Sequence, residues 1–99
     1  MNNLAVTYLA LGRLHDALAL QEKTLEIQRL ALPANHPSTG VLCLNISETL
    51  NHIGDFHRSI ERAREAMLIF QASLPASHPY VQRARKQVES IDGRLARRA

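Results

Sequence analysis

The sequence predicts an all-α chain: an α-solenoid of two helix–turn–helix units and a C-terminal capping helix, five helices in order. Three observations predict it. Leu32-Pro33-Ala34-Asn35-His36-Pro37 returns as Leu74-Pro75-Ala76-Ser77-His78-Pro79, at an offset of 42 residues. The flanking residues keep that register: Gly12 falls on Gly54, His15 on His57, Ile27 on Ile69 and Asn3 on Asn45. Apolar residues recur at steps of three and four, and no segment alternates with period two over a useful length.

The first predicted helix covers about residues 2–11, where Leu4, Tyr8 and Leu11 share one face. Gly12 interrupts it, as a tight turn requires. A second helix runs from about Leu14 to Leu32, with Leu14, Leu18, Leu25 and Leu32 as its stripe. Ala17, Thr24 and Ala31 lie beside that stripe, and their small size implies close approach to a neighbouring helix. Pro33 ends the second helix because it cannot extend the hydrogen-bond ladder. Pro37 begins the third, since a proline at the first helical position lacks only an orphan N–H.

The third helix, about 38–53, carries Leu42, Ile46, Leu50 and Ile53 on one face. Gly54 breaks it. The fourth, about 56–74, has a stripe of Phe56, Ile60, Ala63, Met67, Phe70 and Leu74. Pro75 and Pro79 repeat the stop and the start. In the last helix Val81, Ala84, Val88, Ile91 and Leu95 form the apolar face, and the opposite face is charged. The units are therefore 1–36, 37–78 and a capping helix over 79–99, within one domain.

Bulk properties narrow the function. Ninety-nine residues make one small domain. The longest apolar run, Val41 to Leu44, is far below the roughly 20 residues of a membrane span. The N-terminus lacks the features of a signal peptide. A lone cysteine, Cys43, excludes an internal disulfide, and a reduced, cytoplasmic setting is expected. The net charge of +3 belongs to the last segment, where Arg83, Arg85, Lys86, Arg94, Arg97 and Arg98 face only Glu89 and Asp92.

Asn3-Leu4-Ala5-x-x-Tyr8-x-x-x-Gly12-x-Leu14-x-x-Ala17 resembles the first half of a tetratricopeptide repeat. Asn45-Ile46-Ser47-x-x-Leu50-x-x-x-Gly54-x-Phe56-x-x-Ser59 is a conservative variant of it. HEAT repeats overlap in length, but a Gly turn followed by Leu or Phe and then a small residue favours the tetratricopeptide pattern. The unit is longer than the usual one of about 34 residues. Its length and its Leu-Pro-x-x-His-Pro loop resemble the repeats of kinesin light chains. The resemblance implies a right-handed superhelical stack and a non-catalytic scaffold or adaptor. It implies a partner peptide or helix in a concave groove lined by the first helix of each unit.

Carried over by the register, that groove holds Asn2, Asn3, Val6 and Leu9, then Val41, Leu44, Asn45, Glu48, Asn51 and His52. The last helix adds Arg83, Lys86, Gln87, Ser90 and Arg94. Asparagine amides can both donate to and accept from a peptide backbone, and Leu9 and Leu44 would be apolar anchors. The equally weighted alternative for Asn3 and Asn45 is that they tie adjacent helices together. Some relatives clamp a C-terminal carboxylate with two asparagines and several basic residues. Asn45 and Arg83 occupy two of those places, but Asn2, Val6 and Gln87 stand at the others, which argues against such a clamp.

The remaining chemistry is bland. No phosphate loop, nucleophile elbow or apolar carboxylate pair is present, so no enzyme is expected. No histidine or cysteine pair has zinc spacing, and neither a metal nor another cofactor is expected. His36 and His78 are expected to pack or cap ahead of their helices. The basic last helix offers RNA or an anionic surface as the alternative partner, disfavoured because no aromatics interleave for base stacking. Finally, the counterparts of residues 37–42 are missing ahead of Met1. The sequence thus leads one to expect an N-terminally truncated unit, as a fragment of a longer array, a truncated product or a subunit that pairs through that edge, with Leu4, Tyr8 and Leu11 exposed so that the chain either dimerises or is barely stable.

Overall fold

The computed structural model describes the backbone of residues 3–98 and the side chains of residues 12–97. Four helices follow one another: α1 (Asn3–Ala31), α2 (Pro37–Ile53), α3 (Phe56–Ser73) and α4 (Pro79–Arg98). Among the described residues there is no strand. The all-α class stands, with four helices in place of the expected five.

The two His-Pro loops start their helices in the same way. The Ser38 N–H donates to His36 Nδ1 at 3.1 Å, and the Tyr80 N–H donates to His78 Nδ1 at 3.1 Å. Each histidine carbonyl accepts the first helical bond, from Thr39 and Val81 respectively, both at 3.0 Å. With proline next in line, the remaining orphan donors at each helix start are reduced. The histidines therefore cap, as the sequence led one to expect.

Gly54 and Asp55 close the α2–α3 hairpin together. Gly54 is left-handed, with φ 100°, and its N–H reaches the carbonyls of Leu50 at 2.9 Å and Asn51 at 3.2 Å. The Asp55 carboxylate then accepts the Arg58 N–H at 3.3 Å and caps α3. One residue ends a helix and the next begins another.

Gly12, the equivalent of Gly54, does neither, and this is where the fold departs from expectation. α1 runs through it as one helix of 29 residues. The physical reason lies one residue further on. Where the second unit has Asp55, the first has Arg13, which carries no acceptor to cap a new helix. A helix-interior glycine costs about 1 kcal/mol, and the missing N-cap acceptor removes a contribution of about the same size from the hairpin alternative. Ala17 shows the consequence. It is exposed, whereas its equivalent Ser59 is fully buried. The expected edge of Leu4, Tyr8 and Leu11 falls outside the described side chains.

The core forms where α1, α2, α3 and α4 stack in sequence. Phe70 is fully buried among Leu25, Cys43, Leu44, Ile46, Leu50, Ile69, Val81 and Ala84. Gly40 lets α2 approach that ring, since a Cβ there would lie 2.5 Å from Phe70. A second cluster of Ile60, Ala63 and Ile91 seats α4, with Phe56, Val88 and Leu95 around it. At the α2–α3 crossing, Ser59 Oγ donates to the Ser47 carbonyl at 2.6 Å, so two small buried side chains let the backbones meet with their hydroxyls satisfied.

Charge, more than apolar contact, ties α1 to α3. Arg62 bridges Glu22 at 2.8 Å and Glu65 at 3.1 Å, and Arg29 pairs with Glu65. Burial works against the Arg62 charge. The hydrogen bond to Glu22 and the two carboxylate charges outweigh it and hold the guanidinium pKa above its ordinary value.

The two glycines should respond oppositely to alanine. Gly54→Ala forces a Cβ into the left-handed region and is expected to lower stability by about 1 kcal/mol or more in denaturant melts. Gly12→Ala, with open space around its Cβ, is expected to raise helicity and stability by up to about 1 kcal/mol. A loss at Gly12 equal to that at Gly54 would mean that α1 is a hairpin.

Candidate partner-binding face

The outward side of α2 carries half-buried Val41, which packs on the core, then exposed Asn45, half-buried Glu48 and exposed His52, at steps of four, three and four. These steps place them on one stripe, opposite buried Cys43, Leu50 and Ser47. On α4, Arg83, Lys86, Ser90 and Arg94 are exposed and follow the same spacing. The stripes meet where Arg83 Nη2 lies 3.5 Å from Glu48 Oε1. Beneath that pair, Gln87 Nε2 donates to Ser47 Oγ at 3.4 Å. The polar crossing of α2 and α3 thus also fixes α4.

The resulting surface is cationic. Arg83, Lys86, Arg94 and Arg97 are exposed along α4, against the single carboxylate of Glu48 on the facing stripe. The Arg94 guanidinium lies 5.7 Å from the centre of the Phe56 ring, which holds its stem toward the α2–α3 turn. Asn45 is exposed with its amide outward, and its carbonyl accepts the Thr49 hydroxyl at 3.1 Å.

The expected groove residues therefore divide. Asn45, Glu48, His52, Arg83 and Lys86 come to one surface. Leu44 does not: it is only 3 % exposed and belongs to the core, so it serves packing and offers no anchor. Asn51 is half-buried, with its Oδ1 enclosed and without a partner among the described residues. Asn2 and the side chains of Asn3, Val6 and Leu9 lie outside the described residues. A separate cleft of about 430 Å³ opens beside the first His-Pro loop, lined by Arg29, Leu32, Asn35, Thr39, Glu65 and Leu68. None of the expected groove residues lines it.

Sequence reading missed the role of Gln87 and the Glu22–Arg62–Glu65–Arg29 chain. The signal for the first was its position, one helical turn after Arg83 on the α2 side. The second joins residues 36 and 40 apart, and only the register between adjacent units could have paired them.

This arrangement, helices packed on one another in chain order with a polar face along α2 and α4, is that of a short α-solenoid, an architecture of interaction modules. The family model for the tetratricopeptide repeat matches residues 1–72, so the chain belongs to the tetratricopeptide repeat family. Such repeats are in general non-catalytic protein-interaction modules. No curated protein gives a significant match. No helix among the described residues is long and apolar enough to cross a membrane.

Cys43 sits on the opposite side of α2 from Asn45 and Glu48, fully buried. Burial first, and the charge of Glu65 second, push its thiol from 9.0 up to about 12. The folded state keeps the proton that the unfolded chain loses above pH 9, so stability is present below pH 9 and falls as pH rises toward 12. Wild type is expected to lose roughly 1 kcal/mol per pH unit more than Cys43→Ala across that window. Parallel melts of the two proteins between pH 8 and pH 11 check this, and equal slopes would contradict it.

Proposed function

We propose that the chain is a scaffold or adaptor that binds an acidic partner segment, an extended peptide or a helix, across the exposed faces of α2 and α4. The observation that carries the reading is the Arg83–Glu48 pair, which joins the two helices at one surface while Asn45 and Lys86 stay open beside it. Asn45 would hold the partner backbone through both ends of its amide. Arg83, Lys86 and Arg94 would attract acidic side chains, and Arg83 would exchange Glu48 for the partner's carboxylate. His52 extends the surface toward the Gly54 turn.

The 42-residue unit and its Leu-Pro-x-x-His-Pro loop support a kinesin light chain-like subtype, and with it a cargo or scaffold role. The single buried thiol fits a reduced, cytoplasmic setting.

Display selection of random peptides on the chain tests the reading. Acidic sequences should be enriched, and Arg83→Glu with Lys86→Glu should weaken the selected peptides about tenfold or more. Homopolymer RNA and anionic vesicles serve as counter-probes. Enrichment of basic or purely apolar peptides would contradict the proposal. So would binding confined to RNA or vesicles that falls steeply with salt, which would favour the alternative partner.

A further inference from the structure

The side of α1 that faces away from α2 carries an open seam. Leu20, Ile27 and Leu30 are 68 %, 60 % and 91 % exposed. With exposed Arg13, Asp16 and Lys23 they form the series 13, 16, 20, 23, 27, 30, whose steps alternate between three and four. That is the spacing of a helix-pairing seam. Leu14, Leu18, Gln21, Leu25 and Gln28 occupy the other side and turn toward α2. The seam is also the face that this repeat uses for contact between units. Asp16, Leu20, Lys23 and Ile27 are the register equivalents of Arg58, Arg62, Glu65 and Ile69, through which α3 meets α1.

We infer that this seam is a homodimer interface, occupied by α1 of a second copy lying antiparallel about a two-fold axis at Leu20. The charges select both the partner and its direction. With Leu20 opposite Leu20 of the second copy, Asp16 lies level with Thr24 of that copy and about 1.5 Å along the axis from its Lys23 on the seam, and Lys23 stands in the same relation to its Asp16. Arg13 falls over Ile27 of the second copy, where its stem covers the apolar side chain and its guanidinium reaches toward Glu26. Both copies use the same residues, as an isologous contact demands. A parallel pair would instead set Asp16 against Asp16 and Lys23 against Lys23, which is repulsive. Among the described residues, neither Asp16 nor Lys23 has an ion-pair partner within its own chain.

The continuity of α1 through Gly12 makes the pairing feasible. From residue 13 to residue 30 the seam is about 25 Å long, and Leu30 lies level with the part of the second helix ahead of its Gly12. The seam shares no residue with the α2–α4 face, so this inference stands independently of the proposed partner binding.

Sedimentation equilibrium of the 99-residue chain at low salt tests it. Wild type should dimerise. Asp16→Lys and Lys23→Asp should each weaken the dimer about tenfold or more, because each replaces two attractions by two repulsions. The double substitution should restore it to within a few-fold of wild type. All of these positions are exposed, so thermal melts should report an intact fold throughout. In an oxidative cross-linking arm, Leu20→Cys should link to itself across the axis. Ile27→Cys should not, since the two copies of residue 27 lie roughly 20 Å apart, beyond disulfide reach. Buried Cys43 should not compete. A monomer at every concentration, a dimer indifferent to the charge changes, single losses without rescue, or equal linking at 20 and 27 would each overturn the antiparallel pairing.

Discussion

The turn at Gly54 and Asp55 is the constraint on which the rest of the molecule depends. A helical hairpin needs two things within two residues: a position that can turn left-handed to end one helix, and an acceptor that can start the next. Gly54 supplies the first and Asp55 the second. Once α2 is folded back on α3, Ser47 meets Ser59, Phe70 is enclosed, and the pair presents an apolar trough in which Val81, Ala84 and Ile91 seat α4. The first unit has the glycine without the acceptor. In the register, arginine stands in place of aspartate at the point where a continuous helix replaces a closed hairpin.

The two ends of the chain differ in consequence. At the α2–α4 end the repeat geometry places polar and cationic side chains on one surface over a satisfied polar crossing. At α1 the unbroken helix leaves Ala17 uncovered and keeps the seam of Leu20 and Ile27 outward. A solenoid propagates because each unit's helices bury against the next. The arginine–glutamate chain between α1 and α3 shows that this chain also glues neighbouring units with charge, through groups of which Arg62 is the hub.

Much of this was legible in the sequence. The four prolines mark the four helix boundaries beside the loops, and the duplicated histidines are caps because Nδ1 is placed where a serine or aspartate oxygen would be. The helical stripes of α2, α3 and α4 turned inward as their spacing required. What escaped had identifiable reasons. Gly12 was read by analogy with Gly54, although a glycine permits a turn without imposing one, and the deciding residue was Arg13. Leu44 was assigned to the groove by register, but a helix enclosed on three sides has a narrow open stripe, and Leu44 falls outside it. Gln87 and Arg62 act through partners in other helices, which no local pattern reveals.

The Gly12–Arg13 step leaves α1 unbroken, and a distance measurement reads that directly. Spin labels at Asn3→Cys and Ala19→Cys, in a Cys43→Ala background and diluted with unlabelled chain, report the separation within one molecule. A continuous helix places these positions about 24 Å apart along its axis. A hairpin like that of the second unit would bring them to roughly 10 Å, the spacing of packed helices. A single distribution near the longer distance is the predicted result, and a dominant short one would contradict the account.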